Sequence, residues 1–145
     1  MLGVRGWVRV GVRAAMAALA AVHLAWGGWA LASPRGFFDT FPGGGRHWTA
    51  AYPPFNAHLV TDLGATFVTL GVLLAVAVVV ADLKVTRVVL LGVIVFSALH
   101  LIYHAVHHGM LHGFDLAASL TTLVGGVLGP ALIWLLTEVT RDRDS

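Results

Sequence analysis

Residues 63–106 read LGATFVTLGVLLAVAVVVADLKVTRVVLLGVIVFSALHLIYHAV. Two apolar runs without a charged side chain, 63–81 and 88–106, are split by the polar turn DLKVTR at 82–87. Each run is close to the roughly 20 apolar residues that an α-helix needs to cross about 30 Å of hydrocarbon. Two such runs joined by a short turn predict an antiparallel pair of membrane helices. Working outward, residues 14–32 and 116–137 are two further uncharged apolar runs. The helix of the first quoted run starts earlier than 63, near residue 57. The predicted fold is therefore all-α, a membrane four-helix bundle with spans at about 14–32, 57–81, 88–107 and 116–137. Residues 1–145 make one transmembrane domain, with a loop at 33–56 and no room for a separate soluble catalytic domain.

Composition agrees. Hydrophobic residues make up 58% of the 145 and charged residues 11%, against about 25% charge in a soluble domain. The mean hydropathy is +0.85. The absence of cysteine excludes thiol redox catalysis, Cys-ligated zinc and iron–sulfur clusters. Cysteine-free and poor in methionine, the chain is also unsuited to carrying Cu(I) on soft ligands.

Basic residues at span ends set the orientation. Arg5, Arg9, Arg13, Lys84, Arg87, Arg141 and Arg143 fall on one side, Arg35 and Arg46 on the other. This predicts both termini inside (N-in/C-in) in a bacterial inner membrane, with the 33–56 loop and the 107–115 turn facing out. The partner implied by the basic inner face is the lipid bilayer, through its anionic headgroups, and not nucleic acid. Other membrane subunits or a homo-oligomer are compatible with four spans. A signal peptide is the competing reading of the N-terminus, with Arg5, Arg9 and Arg13 as its basic region and Ala30-Leu31-Ala32 as its cleavage site. The apolar run is long for that role, so retention as a span is expected. Cleavage would leave three spans and remove His23.

The 33–56 loop, SPRGFFDTFPGGGRHWTAAYPPFN, is dense in aromatic, proline and glycine residues. Prolines and glycines disfavour a long helix there. The rings suit either simple interfacial anchoring or a lid over an outward pocket, with Arg46, His47 and Trp48 as lid residues. The GGG at 43–45 lacks the Lys and Ser/Thr of a phosphate loop. In the fourth span, Gly125-x-x-x-Gly129 has the spacing that lets membrane helices approach closely. Gly64 and Gly71 in the second span read the same way, and Pro130 predicts a kink. Ser97 and Ser119 read as packing residues, so no nucleophile–base pair stands out.

The eight histidines are the main anomaly, because none lies at the inner ends of the spans. His100, His104 and His107 fall within about 60° of one another on a helix surface. His58 and Asp62 are an i,i+4 pair at the start of the second span. An antiparallel arrangement places both sets at the same depth. A site of His58, Asp62, His100 and His104 is expected, with His23 and His107 next and His108, His112 and Asp115 as secondary candidates. Asp62 should face the bundle interior and find a partner, because a carboxylate in a span is costly. Imidazoles with a carboxylate suit a transition metal (Zn, Cu or Fe), and two histidines on facing helices suit haem b in a four-helix bundle. Either would serve electron transfer. Two alternatives stay open: a His/Asp network that only secures packing in an accessory subunit, and a proton-coupled carrier for a small solute.

The segments FFDTFPGGGRHW and YPPFNAHLVTDLGA, with the His-rich end of the third span, resemble a group of small actinobacterial four-span membrane proteins. The four-span plan is also weakly similar to the DoxX-like group, which has been linked to quinone-coupled sulfur oxidation. The resemblance implies the four-span fold and carries over no site residue.

Overall fold

A computed structural model describes residues 4–141. Its elements are α1 (Val4–Ala32), α2 (Pro34–Thr40), α3 (Ala57–Val80), α4 (Leu83–Val106) and α5 (Gly113–Arg141). There is no strand among the described residues. Stretches of four helices, Gly6–Ala32, Ala57–Val80, Leu83–Val106 and Gly113–Glu138, are long and apolar enough to cross a membrane. The chain is thus an all-α, multi-pass membrane protein with four candidate spans. Arg5, Arg141 and Arg143, used above to orient the chain, have side chains outside the described residues.

The helices overrun the apolar stretches at several ends because a helix continues past the hydrocarbon while its backbone bonds persist. Caps set the boundaries. Asn56 accepts from the Leu59 amide at 3.2 Å and starts α3. Asp82 accepts from the amides of Lys84 and Val85, both at 2.9 Å, and starts α4. Ala81, included in the sequence-based span, is instead the left-handed cap of α3 at φ 54°. A two-residue connection therefore reverses the chain between α3 and α4.

Small residues set the closest approach, that of α1 to α3. A Cβ on Gly27 would stand 2.7 Å from the Gly64 carbonyl oxygen and 2.7 Å from the Val68 amide nitrogen. One on Gly64 would meet the Ala30 Cβ at 3.0 Å, and one on Gly71 the Leu24 Cγ at 2.8 Å. The packing role read for Gly64 and Gly71 holds. The one read for Gly125 and Gly129 does not hold within this chain: both positions face open space. Gly126 between them is the glycine that turns toward α4, with Ser97 Oγ 3.7 Å from where its Cβ would be.

Two apolar cores occupy the two ends of the bundle. Met16, Ala20, Leu74, Ala77, Leu90, Val93 and Ile133 form one. Ala30, Phe37, Phe38 and Val60 form the other, with Trp26, Trp29, Phe41 and Phe55 against them. Pro34 opens α2, where its missing N–H costs nothing, and α2 buries Phe37 and Phe38. The 33–56 loop is thus folded onto the bundle as a lid. Beyond the first core, Arg87 of α4 reaches Glu138 of α5 at 2.8 Å. The guanidinium nitrogen lies off the hydrogen-bonding direction there, so the contact is an ion pair without a directed bond. Its Nε donates to Thr137 Oγ1 at 3.3 Å. Arg87, counted above as an orienting charge, therefore has a carboxylate beside it.

Candidate functional site

Between the two cores, in helix register, lies a cavity of about 330 Å³. Its size is at the low end of small-molecule pockets, roughly 300–1,000 Å³. The walls come from all four long helices and the lid. Trp26, Phe37, Phe41, Trp48, Phe67 and Phe96 make it largely aromatic. His23 of α1 and His100 and His104 of α4 supply imidazoles, and Ser97, Ser119 and Thr122 supply hydroxyls. A run of ring contacts lines one wall. It passes from His23 to Phe67 (5.8 Å between centroids), to Phe96 (5.8 Å), to His100 (5.6 Å, stacked) and to His104 (4.6 Å).

Hydrogen-bond bookkeeping fixes two tautomers. His23 Nδ1 lies 2.8 Å from the Leu19 carbonyl oxygen. A carbonyl only accepts, so Nδ1 carries the proton, and in the neutral ring Nε2 keeps a lone pair. Tyr52 Oη donates its one proton to the His107 carbonyl at 3.0 Å. The Tyr52 oxygen therefore accepts from His104 Nδ1, 2.7 Å away, and His104 Nε2 also keeps a lone pair. Ser97, Ser119 and His100 have no hydrogen bond within the described chain and line the cavity. Thr122 Oγ1 donates to the Ala118 carbonyl at 2.9 Å, which leaves its oxygen as an acceptor.

The lid is fastened at two places. Asp115, in the first turn of α5, accepts from Trp48 Nε1 at 2.9 Å and forms a salt bridge with Arg46. The Arg46 guanidinium also lies over the Phe114 ring, 4.7 Å from its centroid. The second fastening is Tyr52, with its edge against His104, supported by the Met110 amide donating to the Ala51 carbonyl at 2.9 Å. Burial, and secondarily Tyr103, raise the Tyr52 hydroxyl above its ordinary 10.0. The GGG at 43–45 adopts positive φ throughout (98°, 64° and 75°), a conformation that glycine accepts without strain.

The structure splits the expected His/Asp set. His23, His100 and His104 share the cavity. His58 and Asp62 do pair, at 3.5 Å, but their side chains are 81% and 59% exposed and neither lines it. Asp62 does not face the interior as expected. The buried face of α3 is Val60, Gly64, Phe67, Gly71 and Leu74, and Asp62 is rotated about 160° from Gly64. Near the helix start that exposure is cheap. His107 caps α4 with its ring stacked on Tyr103, and its backbone carbonyl, not its ring, takes part in the lid fastening. His108 turns back to the Ala105 carbonyl, 2.8 Å away, and His112 is exposed. His47 is exposed and reaches the Asp39 carbonyl at 2.5 Å. Among the described residues, no three His, Asp or Glu side chains are grouped so that they could hold a metal ion.

Sequence reasoning missed Tyr52, Ser97, Ser119 and Thr122 as site residues. The signal was present: Ser97, His100 and His104 have the same i, i+3, i+7 spacing as Ser119, Thr122 and Gly126. Each set makes one polar or small stripe on an otherwise apolar span, and the two stripes face one cavity. No protein-family model, curated protein or solved structure matches this chain.

Proposed function

We propose that this protein binds a small, flat, lipophilic molecule in the cavity under the lid, as a membrane-embedded receptor or carrier. One observation carries the reading: aromatic walls and three imidazoles converge on a single cavity of about 330 Å³. Aromatic walls favour offset or edge contacts with a flat ring, and the few polar groups fix its orientation. The lid faces the outside of a bacterial inner membrane, with both termini inside. Supporting this, Arg35 and Arg46 lie in the loop at one end, while Arg9, Arg13 and Lys84 lie at the other.

A second reading has a specific observation behind it. A metal-ligating histidine almost always donates its other ring N–H to a carbonyl, carboxylate or water. His23 is held in that way and His104 in a related way, through the Tyr52 hydroxyl. His100 and His104, with ring centroids 4.6 Å apart, would offer at most two nitrogens to zinc, copper or iron, whose other ligands would come from outside the chain. The Nε2 atoms of His23 and His104 would be the axial ligands of haem b in electron transfer. Elemental analysis and an absorption spectrum of untagged protein test this. Near-stoichiometric metal or a Soret band, lost in a His23→Ala/His104→Ala variant, supports it.

The leading reading is tested with Gly126→Leu, which adds a side chain into the cavity from a position with room for its Cβ. Naphthalene should raise the Tm of the wild-type protein in detergent and leave that of the folded variant unchanged. At a hundredfold excess over Kd the stabilisation is about 2.7 kcal/mol. Equal shifts in both proteins, or none in either, would overturn the reading.

A further inference from the structure

We infer that the ligand class is a lipophilic phenol: an aromatic ring whose hydroxyl donates a hydrogen bond to a cavity histidine. The inference rests on the pocket reading above and adds the sense of the hydrogen bonds. It follows from which protons are already committed. The Leu19 carbonyl takes the Nδ1 proton of His23 at 2.8 Å. The Tyr52 oxygen takes that of His104 at 2.7 Å, because the Tyr52 proton is committed to the His107 carbonyl at 3.0 Å. In its neutral form each ring therefore presents Nε2 as an acceptor. Thr122, having given its proton to Ala118, presents only an acceptor as well.

These acceptors stand on α1, α4 and α5, on different sides of one aromatic-walled volume. A purely apolar occupant would leave them without a donor, and unsatisfied groups in an apolar setting are costly. A molecule offering only acceptors would match Ser97, Ser119 and one N–H of His100 but leave His23 and His104 unserved. A cationic donor would have to shed its hydration in an aromatic cavity that holds no carboxylate among its lining residues. A neutral aromatic hydroxyl gives its proton to one of these acceptors, can take a hydrogen bond on its own oxygen, and carries no charge to desolvate. It is a strong donor, its ring matches the walls, and it partitions into lipid. Tyr52 is a positioning residue here: it fixes the His104 tautomer from the lid and so couples lid closure to the acceptor that the ligand finds.

The test compares 2-naphthol with its methyl ether, 2-methoxynaphthalene, which keeps the ring and loses the donated proton. Equilibrium binding of each is measured to the full chain in detergent, for wild type, His23→Phe, His104→Phe and Tyr52→Phe. Taking each ligand as a ratio between proteins cancels its partitioning into micelles. A phenol has one proton to give, so the variant of the histidine that takes it, His23→Phe or His104→Phe but not both, should weaken 2-naphthol by about five- to tenfold, the worth of one hydrogen bond, and leave the ether unchanged. Tyr52→Phe changes only a lid side chain. Where His104 is the acceptor it should give a smaller loss for 2-naphthol alone, because His104 is then free to take the other tautomer, and where His23 is the acceptor it should give none. If wild type binds both ligands but the variants shift neither, or shift both equally, the phenol assignment is overturned and the pocket reading survives. If wild type binds neither, both fall together. Affinity that rises as 2-naphthol ionises would mean that the histidines act as cations, which also overturns the assignment.

Discussion

Two ring nitrogens carry most of the proposed site's chemistry. His23 and His104 are held through Nδ1 by acceptors, one a carbonyl of its own helix and the other a lid hydroxyl. Nitrogen-15 NMR of selectively labelled protein should show protonated Nδ1 and unprotonated Nε2 on both rings. The opposite tautomer on either ring would remove an acceptor from the cavity and contradict the site as described. Tyr52 adds a pH dependence whose sign is fixed. Its hydroxyl is raised above 10.0 by burial and then by Tyr103, so the folded lid keeps a proton that the unfolded chain loses. The folded state binds more protons above pH 10.0, and its stability falls as pH climbs through that range. The stability difference between wild type and Tyr52→Phe should stay constant below pH 10.0 and shrink above it. Thermal unfolding of both proteins across that range checks this. Little of it was legible in the sequence, because a tautomer depends on a partner from another element, and Tyr52 and His104 lie 52 residues apart.

At the scale of elements, the glycines separate faces that carry packing from faces that do not. Gly27 stands 2.7 Å, by its would-be Cβ, from backbone atoms of α3 that cannot swing aside. Gly27→Ala should destabilise the bundle by about 1–3 kcal/mol, the usual cost of overpacking. Gly125 has open space around it, so Gly125→Ala should be neutral or stabilising, by up to about 1 kcal/mol from helix propensity. Unfolding in a denaturing detergent series would check both, and equal effects would contradict the assigned faces. The small-residue spacing of Gly125 and Gly129 was as visible in the sequence as that of Gly64 and Gly71. Only the second pair meets a neighbouring helix, because spacing marks a face without saying which face is turned inward. The same limit applied to Asp62: its partner His58 was legible from the i,i+4 spacing, but the outward direction of both was set by α3 turning Gly64, Gly71 and Phe67 toward α1. The lid shows the reverse case, since prolines and glycines rightly predicted no long helix, yet the short α2 formed because Phe37 and Phe38 had a core to enter.

For the whole molecule, the four spans were legible because length and the absence of charge are properties of a single segment. Convergence is a property of four segments at once, and the cavity appears only when α1, α3, α4, α5 and the lid are assembled. The polar ends of the lining stripes could have been found by comparing spans, but the aromatic wall is made by rings far apart in sequence, such as Trp26, Phe67 and Phe96. The most direct test is photolabelling of the protein in lipid vesicles with a small naphthyl diazirine, followed by mass-spectrometric mapping. Label concentrated on the cavity-lining segments of α3 and α4 around Phe67, Phe96 and His100, and abolished by Gly126→Leu, is the expected result. Label spread evenly over outward residues such as Val79, Val88 and Leu99, and indifferent to that substitution, would contradict the binding site.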